Sequence, residues 1–291
     1  MKAVVARRGS DVPEVAEVPR QELGANQVRV AVSAAGFTYV DAFVPGHLDT
    51  LGLPEQVGLG FDFSGTVVEA GGAASRLAVG DRVAGLHTDI TASVRAHAEE
   101  LVVEESALAA VPEAIDLQVA AAIPLSSLTA RQALDLLGEE RGSLLITGAA
   151  GAVGGWLIEL AARDGWSVTA VVRPGTESAV ATGTVITELA ATYDAVLDAA
   201  ALHAPALKAV RDGGRYVGFK PGQPQTPERG ITVQTVVVHP DGSALAELLP
   251  LAAVGTVPIR IAGRSMLADA AAAYRSASTE TGARGRWLLV P

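Results

Sequence analysis

The stretch LLITGAAGAVGGWLIELAARDGWSVTAVVRPG (residues 144–175) decides the fold. It opens on an apolar run, turns through a knot of glycines, takes up a helical period and closes on a second apolar run. A strand, a tight turn, a helix and a second strand make one βαβ step of an open sheet. The alternation continues downstream. Strand patterns at 144–147, 167–172, 184–186, 194–199, 215–219 and 231–238 are interleaved with helical patterns at 153–164 and 204–212. This predicts an α/β fold with a parallel, doubly wound sheet and helices on both faces.

Upstream the character differs. Residues 2–6, 27–34, 65–70, 82–84 and 98–103 are brief β-type runs separated by Gly, Pro and Asp, a spacing that predicts a barrel-like or sandwich module. Helical periodicity begins near Asp116 and is interrupted around Pro124. Beyond the α/β block, 241–254 and 267–276 read as helices, 257–263 as a strand and 284–291 as a final strand that most simply rejoins the first module. The expected domains are therefore 1–115 completed by 257–291, and 116–256.

The 291 residues are 49% hydrophobic, enough for two modest cores. With 22 basic and 32 acidic residues the net charge is −10, which leaves no general electrostatic footprint for nucleic acid or anionic lipid. No apolar run reaches 18 residues, and Arg7 and Arg8 break the N-terminus early. Neither a membrane span nor a signal peptide is expected, and a cytoplasmic protein is the default. Cysteine is absent, which removes disulfides, thiol nucleophiles, iron–sulfur ligation and zinc sites containing Cys.

Ala149-x-Gly151-x-x-Gly154 fits the dinucleotide fingerprint with Ala in the first place. Small residues let the turn tighten, the backbone approach a pyrophosphate and the helix pack closely on the strand. The helix start then offers unpaired N–H groups and the positive end of its dipole. Gly148, Ala149, Gly151, Ala152, Val153 and Gly154 are the candidate phosphate-facing residues; the competing reading is a turn that serves packing alone. The next strand ends at Arg173, where an acid would accept from an adenosine ribose. An arginine pairs instead with a 2′-phosphate, which favours NADPH, with Ser178 as a helper; the competing reading is a solvated surface arginine. Ligands of open α/β sheets sit at the carboxyl ends of strands, which adds Ala199, Ala200, Gly218, Phe219 and Lys220. Lys220 also reads as a solvated lysine.

VRVAVSAAGFTYVDAFVPG (28–46), VGLGFDFSGTVVEAGGAASRLAVGDRVAG (57–85), RAHAEELVV (95–103) and AAAIPLSSLTARQALDLL (120–137) join the glycine turn in one pattern. Over essentially the whole chain it resembles the medium-chain dehydrogenase/reductase superfamily, and within it the zinc-independent quinone oxidoreductase and enoyl reductase-like branch. The resemblance implies a GroES-like β-barrel catalytic domain interrupted by a Rossmann domain, with NAD(P)H bound between them. It implies hydride transfer from NADPH to a quinone or an α,β-unsaturated carbonyl, and a homodimer paired through strand 231–238.

Zinc-dependent relatives place Cys at the position of Thr38 and a His-Glu pair at Phe61-Asp62. Neither Thr nor Phe replaces a thiolate and an imidazole, so no metal is expected. Zinc-free relatives commonly carry Asn at Thr38; Thr keeps one hydroxyl and loses the amide's second function. Thr129 matches a family threonine at the nicotinamide, or caps a helix. Thr38, Tyr39 and His47 are the expected catalytic group, with Tyr39, His47 and His87 as proton-donor candidates and water as the alternative. Asp41 and Asp62 read as turn-capping acids. The stretches 173–184 and 187–193 are too short for the usual helices, which must shrink to a turn or two. The alternative function is an NADPH-binding sensor or structural protein of the same fold.

Overall fold

A computed structural model describes residues 1–180, 183–189, 191–279 and 285–291, without the side chains of Tyr39 and 277–279. The chain divides into two compact units, one of residues 1–125, 239–255 and 259–291, the other of 126–238 and 256–258.

The first unit begins with strands β1 (Lys2–Arg7), β2 (Glu14–Glu17), β3 (Gln27–Phe37), β4 (Gln56–Gly58), β5 (Asp62–Ala70), β6 (Arg82–Leu86), β7 (Glu100–Glu104) and β8 (Leu108–Ala110). Helices α1 (Tyr39–Phe43) and α2 (Leu117–Ala120) interrupt and follow them. β2, β1 and β4 form a small antiparallel sheet. The long β3 pairs antiparallel with both β5 and β7, and its register with β5 shifts twice, after Arg29 and after Val32. Such irregularities bend a strand and let a sheet coil toward a barrel. Gly65 of β5 is required by that packing, because a Cβ there would lie 2.1 Å from the Ala31 carbonyl. Alternate residues of these strands, among them Val28, Val30, Phe63, Val83, Leu101 and Leu108, build a buried core, as period-two patterning demands.

Helix α3 (Pro124–Asp135) leads into the second unit. There β9 (Ser143–Thr147), α4 (Ala152–Arg163), β10 (Ser167–Val171), β11 (Thr184–Ile186), β12 (Tyr193–Asp198), α5 (Ala204–Lys208), β13 (Val210–Gly218) and β14 (Thr232–Thr235) follow in turn. The sheet order is β11-β10-β9-β12-β13-β14, with every pair parallel. That is the Rossmann order, with its reversal between β9 and β12. The segment after β10 is indeed cut short: one 3₁₀ turn at Glu177–Ala179 precedes β11.

The chain then returns to the first unit through α6 (Gly242–Ala253), β15 (Ile261–Met266), α7 (Ala270–Thr279) and β16 (Arg286–Val290). β16 lies between β15 and β3, completing a sheet ordered β15-β16-β3-β5-β6-β8.

Several elements differ from the sequence reading. The contact division puts 116–125 and α6 with the first unit, not the second. The reason for α6 is a backbone approach: a Cβ on Gly242 would lie 2.1 Å from the Leu108 carbonyl, so α6 packs directly on β8. The helix read at 204–212 stops at Lys208, since Val210 already pairs with Tyr193. The strand read at 231–238 shrinks to Thr232–Thr235, paired on one side with β13 and partly exposed. The strand read at 257–263 lies at Ile261–Met266; Pro258 has no N–H to give a ladder. The helix read at 267–276 becomes a 3₁₀ turn, Leu267–Asp269, followed by α7.

Candidate functional site

In the second unit the glycine turn joins β9 to α4. Gly148 takes a left-handed φ of +64°, and Gly151 is the N-cap of α4, with no side-chain cap. The two later glycines do different work. At Gly154 a Cβ would lie 2.3 Å from the Gly148 carbonyl and 2.6 Å from Ala149 Cα, so the fold itself forbids a side chain. At Gly151 the single contact is Gly148 O at 3.1 Å, with open space beyond. The Gly151 N–H donates to the Gly148 carbonyl at 2.9 Å, and beyond it the uncapped start of α4 presents backbone N–H groups and the positive end of the helix dipole.

The other candidates of this unit end neighbouring strands. Arg173 follows β10, is exposed and makes no side-chain ion pair among the described residues. Ser178 is exposed in the Glu177–Ala179 turn, where Glu177 accepts from the Gly175 N–H at 3.1 Å. Ala199 and Ala200 follow β12, and the space of a Cβ on Gly148 is bounded by their backbone at 3.1–3.3 Å. Gly218 ends β13, and Phe219 and Lys220 follow it, Lys220 exposed. Thr129 lies inside α3, partly buried, and is not a helix cap.

Sequence reasoning missed what fixes these strand ends. The buried Asp198 accepts four hydrogen bonds: Oδ1 from Thr147 Oγ1 at 2.7 Å and Leu202 N at 3.0 Å, Oδ2 from His203 N at 2.7 Å and Tyr216 Oη at 2.8 Å. Thr147 Oγ1 in turn accepts from Ala200 N at 2.9 Å. One carboxylate so ties β9, β12 and β13 together and holds a loop in which Ala201 and His203 adopt φ of 51° and 61°. Non-glycine residues stay in that region when their surroundings over-determine it. Burial and the adjacent carboxylate push the Tyr216 phenol well up.

In the first unit Thr38 is the N-cap of α1. Its N–H and hydroxyl both donate to Asp41 Oδ2, at 2.9 and 2.6 Å, and its oxygen accepts from Asp41 N at 3.2 Å. Asp41 Oδ1 accepts from Gly60 N at 2.9 Å. Asp41 is thus the capping acid expected of it, and the hydroxyl proton of Thr38 is committed to it. The backbone of Tyr39 starts α1, and its side chain lies outside the described residues. His47 follows α1; its Nδ1 is 2.7 Å from the Phe43 carbonyl and its ring stacks on Phe43 at 4.0 Å.

Asp62 is no turn cap. It starts β5, fully buried, where Oδ1 accepts from Leu125 N at 2.5 Å and Oδ2 from Arg286 Nη2 of β16. Burial pushes its carboxyl up to about 7 against the pull of Arg286 and the Leu125 N–H. Nearby lie His97 and Arg95, which the sequence gave no reason to single out for a site, and His87, one of the proton-donor candidates. His97 Nε2 donates to Gly36 O at 3.1 Å, which leaves Nδ1 to accept from Tyr274 Oη at 2.7 Å; burial holds this imidazole below its ordinary range. Arg95 is wholly buried, with its guanidinium 4.0 Å from the centre of the Phe61 ring. His87, partly exposed, is pushed down to about 4 by burial and by the charge of Arg95. The signal in the sequence was slight: charged residues inside RAHAEELVV and RGRWLLVP, at places where a strand pattern asks for apolar ones.

Among the described residues no three His, Cys, Asp or Glu side chains gather as a metal site. No helix there is long and apolar enough to cross a membrane.

Residues 24–113 match the Alcohol dehydrogenase GroES-like domain family. The chain is 36% identical over 149 residues to the Quinone oxidoreductase of Pseudomonas aeruginosa, covering 50% of this chain and 44% of that protein. It is 36% identical over 157 residues to Erythronolide synthase EryA2 of Saccharopolyspora erythraea, covering 53% of this chain and 4% of that one. The sequence matches thus span less than half the length of these relatives. A solved NAD-dependent alcohol dehydrogenase superposes with TM-score 0.83 at 26% identity, covering 100% of both chains. The quinone oxidoreductase from Coxiella burnetii gives 0.83 at 24% identity, covering 100% of this chain and 99% of that one. These matches support the medium-chain dehydrogenase/reductase superfamily, on its quinone oxidoreductase-like branch. The matched GroES-like residues lie in the first unit, and the Rossmann-ordered sheet in the second.

Proposed function

We propose that this protein is an NADPH-dependent, zinc-independent oxidoreductase that reduces a quinone or an α,β-unsaturated carbonyl. The observation that carries the reading is the β9–α4 turn: a glycine-built, uncapped helix start in a Rossmann-ordered sheet. Bound there, a nicotinamide cofactor supplies the hydride. The N–H groups of Ala152 and Val153 would hold its diphosphate, and the loop fixed by Asp198 would border it. Arg173, exposed and unpaired among the described residues, would take a 2′-phosphate and so favour NADPH.

Donor chemistry supports the zinc-independent reading. At the three positions discussed, Thr38 has a hydroxyl committed to Asp41, Phe61 has no donor, and Asp62 has both oxygens in use. None offers the thiolate or imidazole that a tetrahedral site needs. The protein's own part is then positioning, exclusion of water and stabilisation of developing negative charge. A homodimer through β14, partly exposed at its sheet edge, completes the proposal.

The experiment is NADPH oxidation against a panel of quinones and enones. Turnover supports the reading. One observation favours the second reading, a cofactor-binding sensor: the hydroxyl proton of Thr38 is already given to Asp41. Tight NADPH binding with no acceptor reduced would establish that reading instead.

A further inference from the structure

His203 holds a conformation that its residue type disfavours. Its backbone lies at φ 61° and ψ −118°, a region that glycine enters freely and a Cβ crowds. Ala201, two residues earlier, also has a positive φ, of 51°. Asp198 imposes this shape: Oδ1 accepts from Leu202 N at 3.0 Å and Oδ2 from His203 N at 2.7 Å. A glycine would take position 203 without strain. Strained residues persist where the structure over-determines them, and they gather at ligand-binding sites. What the imidazole does is therefore the question.

Its two ring nitrogens are unlike. Gln225 Nε2 lies 3.1 Å from His203 Nδ1. An amide nitrogen only donates, so Nδ1 accepts and the neutral ring carries its proton on Nε2. That N–H makes no hydrogen bond among the described residues, and the side chain is only partly buried. Gln225 sits on a stiff length of chain. Lys220-Pro221-Gly222-Gln223 closes as a turn, Gln223 N donating to Lys220 O at 3.3 Å with Gly222 at φ +82°. Pro224 and Pro227 then hold Gln223 and Thr226 extended. A glutamine on one loop thus fixes the tautomer of a histidine on another, and leaves a single N–H donor facing no protein group.

The position suits an anionic ligand. His203 lies in the loop after β12, at the carboxyl end of the sheet. That loop starts against the glycine turn: the backbone of Ala199 and Ala200 bounds the Cβ space of Gly148 at 3.1–3.3 Å, and Ala200 N donates to Thr147 Oγ1 at 2.9 Å. His203, Gln225 and the glycine turn all belong to the second unit.

We propose that His203 is a binding residue for the dinucleotide, its Nε2–H donating to a diphosphate oxygen, and that Gln225 is the residue that positions it. The proposal rests on the dinucleotide reading above.

Calorimetry and thermal unfolding of the full chain test it, with NADPH and with 2′-phospho-ADP-ribose, which keeps the diphosphate and lacks the nicotinamide. His203→Gly removes the donor and relieves the backbone. The relief offsets the lost Gln225 hydrogen bond, so its Tm without ligand should stay near that of wild type. Both ligands should bind it roughly tenfold or more weakly, the scale of a charge-assisted hydrogen bond. Gln225→Ala should weaken both by a smaller factor, and the ring-nitrogen resonances of His203 should pass from the single Nε2–H tautomer to a mixture. Equal affinities of wild type and His203→Gly overturn the proposal. A loss with NADPH that spares 2′-phospho-ADP-ribose overturns the diphosphate contact, and an unchanged tautomer in Gln225→Ala overturns the positioning role. Should wild type bind neither ligand, the dinucleotide reading itself fails and the role of His203 with it.

Discussion

Arg286 and Asp62 lie 224 residues apart in sequence and meet as a buried ion pair, Arg286 Nη2 donating to Asp62 Oδ2. The pair joins the last strand, β16, to the start of β5, two strands that do not neighbour one another in the sheet. Removing one partner of a buried pair costs about 3–5 kcal/mol, because the other charge is left unpaired. Asp62→Ala should therefore lower unfolding stability in urea by that order. Asp62→Leu combined with Arg286→Met should recover most of it. Equal losses in the single and double variants would show that volume, not charge, is what matters there.

The pH dependence of stability follows from two opposed groups. His87 titrates near 4 in the folded chain against 6.5 ordinarily. The unfolded chain therefore binds more protons in that interval, and stability falls as pH drops from about 6.5 to 4. Asp62 titrates near 7 against 3.8, so its contribution is full below about 3.8 and is lost as pH rises to about 7. Between pH 4 and 6.5 the two slopes oppose one another. Asp62→Asn should leave the histidine slope alone, so that the variant gains more stability than wild type from pH 4 to 6.5. Parallel urea profiles for the two proteins would contradict this.

The two later glycines of the turn should separate folding from binding. Gly154→Ala places a Cβ 2.3 Å from the Gly148 carbonyl and should destabilise the fold, visible as a lowered Tm. Gly151→Ala meets one atom, at 3.1 Å, and should lose much less Tm than Gly154→Ala yet bind NADPH far more weakly by calorimetry. Unchanged affinity in Gly151→Ala would remove the main support for a dinucleotide here.

The proposed preference for NADPH rests on Arg173. Arg173→Ala should weaken NADPH by roughly tenfold or more, the scale of a charge-assisted hydrogen bond, and leave NADH nearly unchanged. Equal effects on both cofactors would exclude a phosphate contact.

Tyr216→Phe takes one donor from Asp198 and leaves that carboxylate oxygen with the His203 N–H. A loss of about 1–3 kcal/mol in stability is expected. If the loop after β12 borders the cofactor, NADPH affinity should fall as well, whereas a purely structural tyrosine would lower Tm alone.

Elements carried by a long repeat were legible in the sequence, and those set by distant partners were not. The β9–α4–β10 step was read within a residue or so at each end, because period and glycine turn both lie inside one short window. Helix α6 has an equally clear period, yet its period says nothing of which unit it packs on; the decision comes from Gly242 against Leu108. The strand at Ile261–Met266 was misplaced because its register is set by pairing with β16, which no local pattern encodes. At the site, Thr38 and Asp41 form a capping box three residues apart and could be anticipated. Arg95 over Phe61, Tyr274 on His97 and Arg286 on Asp62 join residues 34 to 224 positions apart, and burial alone gives them meaning.

The place of β16 also bears on how the chain is made. Residues 126–238 form their sheet from one continuous stretch, so this part can close while synthesis continues. β3, by contrast, acquires one of its antiparallel neighbours only when residues 286–290 emerge. Until then it offers an unpaired backbone edge to other chains. The edge of β3 at Ala35, Gly36 and Phe37 thus stays open to mispairing on the ribosome until β16 has been made.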